Sequence, residues 1–414
     1  MRIRFVFSLL LAVSAAAQPR GRLGPLIEEA LERNPEILAA RKRVEAARQR
    51  SVQASSLADP VLSAGYSANG GPLPGQGLGT EPTSNIGFML SQQIPAPGKR
   101  RLRGAIEAKS ADAATQEYWM AQLSVISRLK SAWHRLHHNY EIIGLLDRNR
   151  TLLERIAKVA EIRYASGKAS QQDLLKAQTQ LSLLALKRER FEQDRLAREA
   201  EINVLRARPL DTPVPRPESI EPRESMLTLE KLAGQAQAYA PILQRETANI
   251  QRAELALNLA RKDAAPDFTV SGGYFTMGRM PDMYQARLDI TLPFFTRARQ
   301  RAAVAEQAHS LDAARRTYQA AGNALLFRLK DDYLASGASW RLMRLYSTTL
   351  IPQALLTLES SMAAYETGQV DFLSLLANLT AVLEYEEGYH EEMMNYHLAL
   401  IRLEEATGLE LVEE

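Results

Sequence analysis

The second half of this chain repeats the order of the first, displaced by about 200 residues. Asn34-Pro35, opening a helical pattern, recurs as Ala240-Pro241. Asp59-Pro60 ahead of Ala64-Gly65-Tyr66 is echoed by Pro266-Asp267 ahead of Gly272-Gly273-Tyr274. Ile94-Pro95 answers to Leu292-Pro293, each followed by alternating basic residues, and Tyr164-Ala165-Ser166-Gly167 returns as Tyr365-Glu366-Thr367-Gly368. Four matches in one order define a duplicated unit of helix, strand, strand, long helix and helix, which any fold must accommodate twice. Between the copies stand Pro209, Pro213, Pro215, Pro217 and Pro222. Proline removes a backbone donor and fixes φ, so this density favours an extended linker over 209–224. Repeat 1 then takes 18–208 and repeat 2 takes 225–414.

The long segments carry a seam. Ile126, Leu129, Trp133, Leu136, Tyr140 and Ile143 step by threes and fours, the a and d positions of a coiled coil. Leu326, Leu329, Tyr333, Ser336, Trp340 and Met343 take the same steps in the second copy. No proline interrupts the stretch from Gly98 to Gly167. One helix of about 66 residues is expected there, roughly 100 Å long at ~1.5 Å per residue. In the second copy Pro352 falls inside the corresponding helix and is expected to kink it. Helices this long suit a rod or a tube and not a compact enzyme.

Four short segments, at about 60–69, 85–94, 266–276 and 283–292, alternate with period 2. Tyr284, Ala286, Leu288, Ile290 and Leu292 alternate with Gln285, Arg287, Asp289 and Thr291. Leu62, Ala64 and Tyr66, then Ile86, Phe88 and Leu90, then Phe268, Val270 and Tyr274 form the other apolar rows. Each run has the ~9–11 residues of a tilted membrane strand. A half-buried sheet in a soluble protein would show the same alternation. In lipid, however, four strands cannot close a barrel, and open edges are not tolerated. Two copies would give a plugged eight-stranded barrel, whereas three give twelve strands and room for a pore.

Arg2 and Arg4, the apolar run Phe5 to Val13 and the Ala15-Ala16-Ala17 cleavage pattern read as a signal peptide over 1–17, so the chain is expected to be exported. The 414 residues include no cysteine, which excludes a disulfide framework, a thiol nucleophile and a thiolate metal site. Fifty-one Lys and Arg stand against 48 Asp and Glu, a balance that gives no reason to expect a nucleic-acid partner. A metal-dependent hydrolase would need a convergent His and carboxylate set, and none falls at strand ends or in Gly-rich loops. Neither an enzyme nor a cofactor is indicated.

With these features the sequence resembles the TolC-type outer membrane efflux proteins. Specific carriers are Arg163-Tyr164-x-x-Gly167 followed by Asp173-Leu174-Leu175-x-Ala177-Gln178-Thr179, and Tyr365-x-x-Gly368 followed by Phe372-Leu373-x-Leu375-Leu376. Glu81-Pro82-Thr83, the run Gln93 to Arg100 and the run Gly278 to Met283 are similar to the heavy-metal efflux branch. The resemblance implies a mainly α fold with a membrane β-barrel: a homotrimer with a 12-stranded barrel in outer-membrane lipid and a long coiled-coil barrel in the periplasm. It implies a passive exit duct working with a periplasmic adaptor and an inner-membrane pump of the resistance-nodulation-division class, exporting metal ions or other toxic small solutes. Multidrug efflux and type I protein secretion are alternatives within the family. A periplasmic coiled-coil scaffold is an alternative of another class, one that leaves the alternating strands idle.

Three groups of residues follow as candidates. The first is the periplasmic tip, for adaptor docking and gating: Tyr164, Gly167, Asp173, Tyr365, Gly368, Asp371 and Ser374. The glycines are expected to be left-handed helix caps. Some family members carry an arginine five residues after the second tyrosine and aspartates nine and twelve after it; here Val370, Ser374 and Ala377 stand in those places, so that acidic ring is not reproduced. The second group is Arg287 and Asp289, expected in the barrel lumen. The third is a basic collar of Lys99, Arg101, Arg103, Arg297, Arg299 and Arg301, facing lipid phosphates from the start of each long helix. His134, His137 and His138, with His390, Met393, Met394 and His397, have helical ligand spacing but are read as packing. No metal site is assigned.

Overall fold

A computed structural model describes residues 20–69, 71–219, 221–224, 227–292, 297–409 and 411. The signal-peptide reading over 1–17, Gly70 and Pro293 lie outside the described residues. The elements run β1 (Arg20–Gly21), α1 (Gly24–Arg33), α2 (Pro35–Ser55), β2 (Val61–Ser67), β3 (Asn85–Ile94), α3 (Lys99–Ala165) and α4 (Gln171–Leu205). Then follow β4 (Arg216–Pro217), α5 (Leu229–Tyr239), α6 (Pro241–Lys262), β5 (Asp267–Thr276), β6 (Met283–Thr291), α7 (Arg297–Leu345), α8 (Ile351–Thr367) and α9 (Phe372–Thr407). The order expected from the repeat is present twice. α3 is one unbroken helix of 67 residues.

The chain divides into two compact units, and each draws on both repeats. One takes the residues up to Pro35, Ser124–Leu232 and everything from Leu329 onward; the other takes Glu36–Leu123 and Ala233–Arg328. In the first unit, Ile142, Leu145, Leu146, Leu153, Ile156 and Ala160 of α3 pack with Ala177 and Leu184 of α4, Leu358 and Tyr365 of α8, and Phe372, Leu375, Leu379, Val382 and Leu383 of α9. These recur at threes and fours because only that spacing keeps one face of a helix against its neighbours. The proline-rich linker is tied down at its start, where the Asn203 side-chain amide donates to Leu210 O at 2.9 Å and Thr212 O at 2.7 Å. Its later part pairs as β4, in parallel with β1.

The expected seam in α3 is buried at Leu129, Trp133, Leu136 and Ile143, with Ile126 and Tyr140 half-buried. In α7 the phase differs from the expectation. Leu326 is exposed, and the buried positions are Leu325, Leu329, Asp332, Ser336, Ser339 and Met343. The seam keeps its steps but turns by one residue at Leu325, and it is polar where the Arg402 Nε donates to Asp332 at 2.5 Å.

Pro352 breaks the second long helix in a particular way. A π-helical turn at Tyr346–Leu350 separates α7 from α8. Proline supplies no N–H to the carbonyl four residues back, so the ladder slips one residue wider ahead of it. Two hydroxyls converge on a single carbonyl just ahead of this turn: Thr348 Oγ1 and Ser347 Oγ donate to Arg344 O at 2.7 Å and 3.2 Å. The widened turn pushes the Tyr346 ring onto α9 at Gly388, where a Cβ would lie 2.7 Å from Tyr346 Cζ.

The second unit contains the sheet, in the order β2-β3-β5-β6 and antiparallel throughout. Its register joins the four apolar rows into one face. Ala64 pairs with Phe88, Phe88 with Tyr274 and Tyr274 with Tyr284, while Gln92 pairs with Val270 and Val270 with Leu288. The other face carries Ser63, Gln93, Thr269, Ser271, Gln285, Arg287 and Asp289. The apolar face is bare in the single chain, with Tyr284 79% and Leu288 59% exposed.

The close approach at Gly388 yields a measurable expectation. Gly388→Ala overpacks the site and should destabilise the protein by about 1–3 kcal/mol. In a Tyr346→Ala background, where the ring it would strike is gone, the same change should cost less than about 0.5 kcal/mol. A double-mutant cycle by thermal denaturation checks this, and equal costs in both backgrounds would show that the ring does not set the constraint.

Candidate functional site

The two repeated Tyr-x-x-Gly segments end α3 and α8 in the same geometry. At the first, Lys168 N donates to Arg163 O at 2.8 Å and Gly167 N to Tyr164 O at 2.9 Å. At the second, Gln369 N donates to Ala364 O at 2.9 Å and Gly368 N to Tyr365 O at 3.1 Å. Gly167 and Gly368 have φ of 75° and 81°, the left-handed conformation that closes such a cap. The following helices are capped as their sequences allow. Ser170 and Asp173 form a reciprocal capping box on α4, and Asp371 accepts from Ser374 N at 2.7 Å on α9. Asp173, Asp371 and Ser374, selected as gate candidates, are thus first of all helix-start residues. The Ser374 N–H holds the Asp371 carboxyl below the usual carboxylate range.

The two turns lie against each other around one arginine. Arg163 Nη1 donates to Tyr365 O, and to Glu366 O at 3.2 Å. It therefore meets the carbonyls at the C-terminus of α8, the end of a helix that favours a cation. Its guanidinium also lies over the Tyr365 ring, 4.8 Å from the centroid. Tyr365 in turn meets Phe372 edge-on at 5.8 Å. The duplicated tyrosines are consequently unequal: Tyr365 is 3% exposed and Tyr164 is 44% exposed. The Tyr365 hydroxyl has no hydrogen-bond partner among the described residues, and burial pushes its pKa up. A cleft of about 730 Å³ opens between the turns, lined by Arg163, Lys168, Asp173, Tyr365, Asp371 and Leu373 among others. Arg163 is the residue that reading the sequence missed as a site residue. It stood in the first motif, but its partners belong to the second repeat, and no local pattern signals that pairing.

With this geometry in view, the comparisons with known proteins identify the fold. Residues 26–206 match the family model for outer membrane efflux proteins. That match covers less than half of the chain. No curated protein matches it by sequence. Among solved structures, the outer-membrane channel OprN is similar with a TM-score of 0.79 at 17% identity, over 93% of this chain and 89% of that one. VceC from Vibrio cholerae gives 0.79 at 18%, over 93% and 96%. CusC gives 0.80 at 14%, over 96% and 95%. At these identities the likeness establishes the TolC-type fold, including its second repeat.

The structure revises one of the remaining candidate groups. Lys99 does not belong to an exposed collar. It is 3% exposed, and its ammonium donates to Asp267 Oδ1 at 2.9 Å and Ala265 O at 2.9 Å, with Asp263 at 3.6 Å. A buried ammonium needs such partners, and α6 and β5 supply them. Arg101, Arg103, Arg297, Arg299 and Arg301 are exposed. Arg287 and Asp289 lie side by side on the polar face of β6, paired at 2.7 Å. His134, His137 and His138 come together with His390 and His397 between α3 and α9.

The Arg163 clasp predicts a graded response. Arg163→Ala removes charge-assisted hydrogen bonds and a cation–π contact and should loosen the second turn by about 2 kcal/mol. The amides of Gly368 and Gln369 should then exchange with solvent at least ~10-fold faster, as read by hydrogen exchange. Asp371→Ala, which loses only a cap, should cost about 1 kcal/mol. Unchanged exchange in Arg163→Ala would show that the clasp does not hold the turn.

Proposed function

We propose that three copies of this chain form an outer-membrane channel, the passive exit duct of a tripartite efflux system. The observation that carries this reading is the sheet: four antiparallel strands with one continuous apolar face and free outer edges on β2 and β6. In water that face would be a large adhesive patch, whereas in a bilayer it meets its solvent. The free edges require partners in lipid, and equivalent copies supply them when β6 of one pairs with β2 of the next. Three copies give twelve strands, with Arg287, Asp289, Ser271 and Gln285 turned to a water-filled lumen. A soluble coiled-coil scaffold would give this sheet no use.

In this arrangement the turns at Gly167 and Gly368 are the periplasmic tips, and the cleft between them receives the hairpin of a periplasmic adaptor. Arg163 and Tyr365 hold the tip in its resting form, the part that the absent arginine at position 370 would otherwise play. The adaptor links the duct to an inner-membrane pump of the resistance-nodulation-division class, which selects the cargo. The motifs at Glu81 to Thr83, Gln93 to Arg100 and Gly278 to Met283 favour metal ions over other toxic small solutes.

Opposite faces of β6 give the test. Leu288→Arg would place a charge in lipid at about 2–4 kcal/mol per copy near the midplane, so trimers should be lost from outer-membrane fractions. Arg287→Ser should assemble normally and alter only conductance or ion preference. The measurements are heat-modifiable trimer content and single-channel recording. Normal trimers from Leu288→Arg would remove the basis for a lipid-facing sheet.

A further inference from the structure

Five of the six histidines of the chain meet between α3 and α9, brought there from two stretches some 250 residues apart. The rings of His134 and His397 stack, with centroids 4.5 Å apart and planes at 17°. Both are buried. Neither nitrogen of His397 has a hydrogen-bond partner among the described residues, nor has His137 Nε2 or His390 Nδ1. His138 Nδ1 faces His390 O at 3.3 Å. No group of three or more His, Asp or Glu among the described residues is arranged to hold a metal ion.

The surroundings treat the inner and outer members differently. On α3, Glu141 acts on His137 and His390, opposed by Arg216 of the linker and Arg148. Asp194 of α4 and Glu391 of α9 favour a charge on His138. The inner pair, His134 and His397, meets each other, His137 and Lys130, all of which oppose a positive charge. Glu404 of α9 is engaged by Lys130 at 3.0 Å and by Leu411 N at 2.5 Å. On the other side of α9, Trp340 of α7 lies against Tyr396, whose ring meets His397 edge-on at 5.6 Å.

We propose that the stacked His134–His397 pair is an acid-sensitive joint: it holds α9 against α3 while both imidazoles are neutral, and protonation drives the two helices apart. Two imidazolium rings stacked at this distance in a dry seam repel each other, and the seam offers no free carboxylate to offset them. Burial holds His390 and His397 at about 4, below the ordinary 6.5, and also holds His134 well below its ordinary value. These pKa values are depressed on folding, so the joint is at full strength above pH 6.5. It weakens as pH falls from there towards 4, because the open form takes up protons first. An exported protein meets such acid whenever its surroundings do. The proposal concerns this chain's own helices and does not depend on the efflux reading.

The test is hydrogen exchange of the purified full-length protein in detergent between about pH 7 and 4.5, with intrinsic rates corrected. Peptides covering 130–138 and 393–401 should lose protection at least ~10-fold on acidification, while those of 175–190 in α4 change less than ~2-fold. His134→Phe with His397→Phe keeps an aromatic stack that cannot titrate and should abolish the acid step. If that variant does not fold, His397→Gln should reduce the step, and exposed His309→Phe should leave it intact. A step of equal size in the double or His397→Gln variant, or none in the wild type, overturns the joint. So does one equivalent of zinc bound at pH 7 by the wild type and not by His397→Gln, which would make the cluster a metal site.

Discussion

The outer edges of β2 and β6 carry backbone N–H and C=O groups that no strand within the sheet can take, and the sheet's apolar face is uncovered. Both are costly in the single chain, and the two costs call for different remedies. Covering the face needs an apolar medium; satisfying the edges in that medium needs more strands. In the proposed ring each face meets its own solvent and no edge is left. In the proposed trimer the duplication makes closure economical, since each copy contributes two hairpins, joined at β3 and β5.

Duplication also explains why the two turns are so alike and yet unequal. The backbone solution is shared: a left-handed glycine closes one helix and a side-chain oxygen opens the next. Those are local demands that any helix–turn–helix of this length must meet. What differs is the side chains laid over that backbone. Arg163 reaches from the first turn to the carbonyls of the second, so Tyr365 is buried beneath a cation while Tyr164 stays in solvent. A repeat that began symmetric has acquired a direction, with one turn gripping and the other gripped. This is the kind of difference on which selective movement of one helix pair can act.

Much of this was legible in the sequence. Period 2 located all four strands within a residue or two and sorted their faces, because alternation is a direct consequence of the pleat. The absence of proline foretold a helix of 67 residues. The turns could be read from glycine chemistry. What escaped depends on tertiary neighbours. Lys99 looks like a surface charge until Asp267 is folded beside it. The α7 seam shares its steps with α3 but not its phase, since Leu325 and Leu326 are interchangeable to a pattern search. The histidines formed two unremarkable helical clusters until α9 lay along α3, and Arg163 could not be paired with Tyr365 from either repeat alone.

The buried polar groups follow one logic with two outcomes. Lys99 is matched to Asp267 and to the Ala265 carbonyl, and Lys130 to Glu404, because a buried ammonium left unmatched is costly. Histidine is different because it can be buried uncharged. His397 therefore needs no partner at pH 7, and the fold gives its ring nitrogens none. The histidine seam is instead conditional on its imidazoles staying uncharged. The Lys130–Glu404 ion pair and the stacked imidazoles give α9 two attachments to α3 of different kinds. A helix held in that way can move without the unit coming apart.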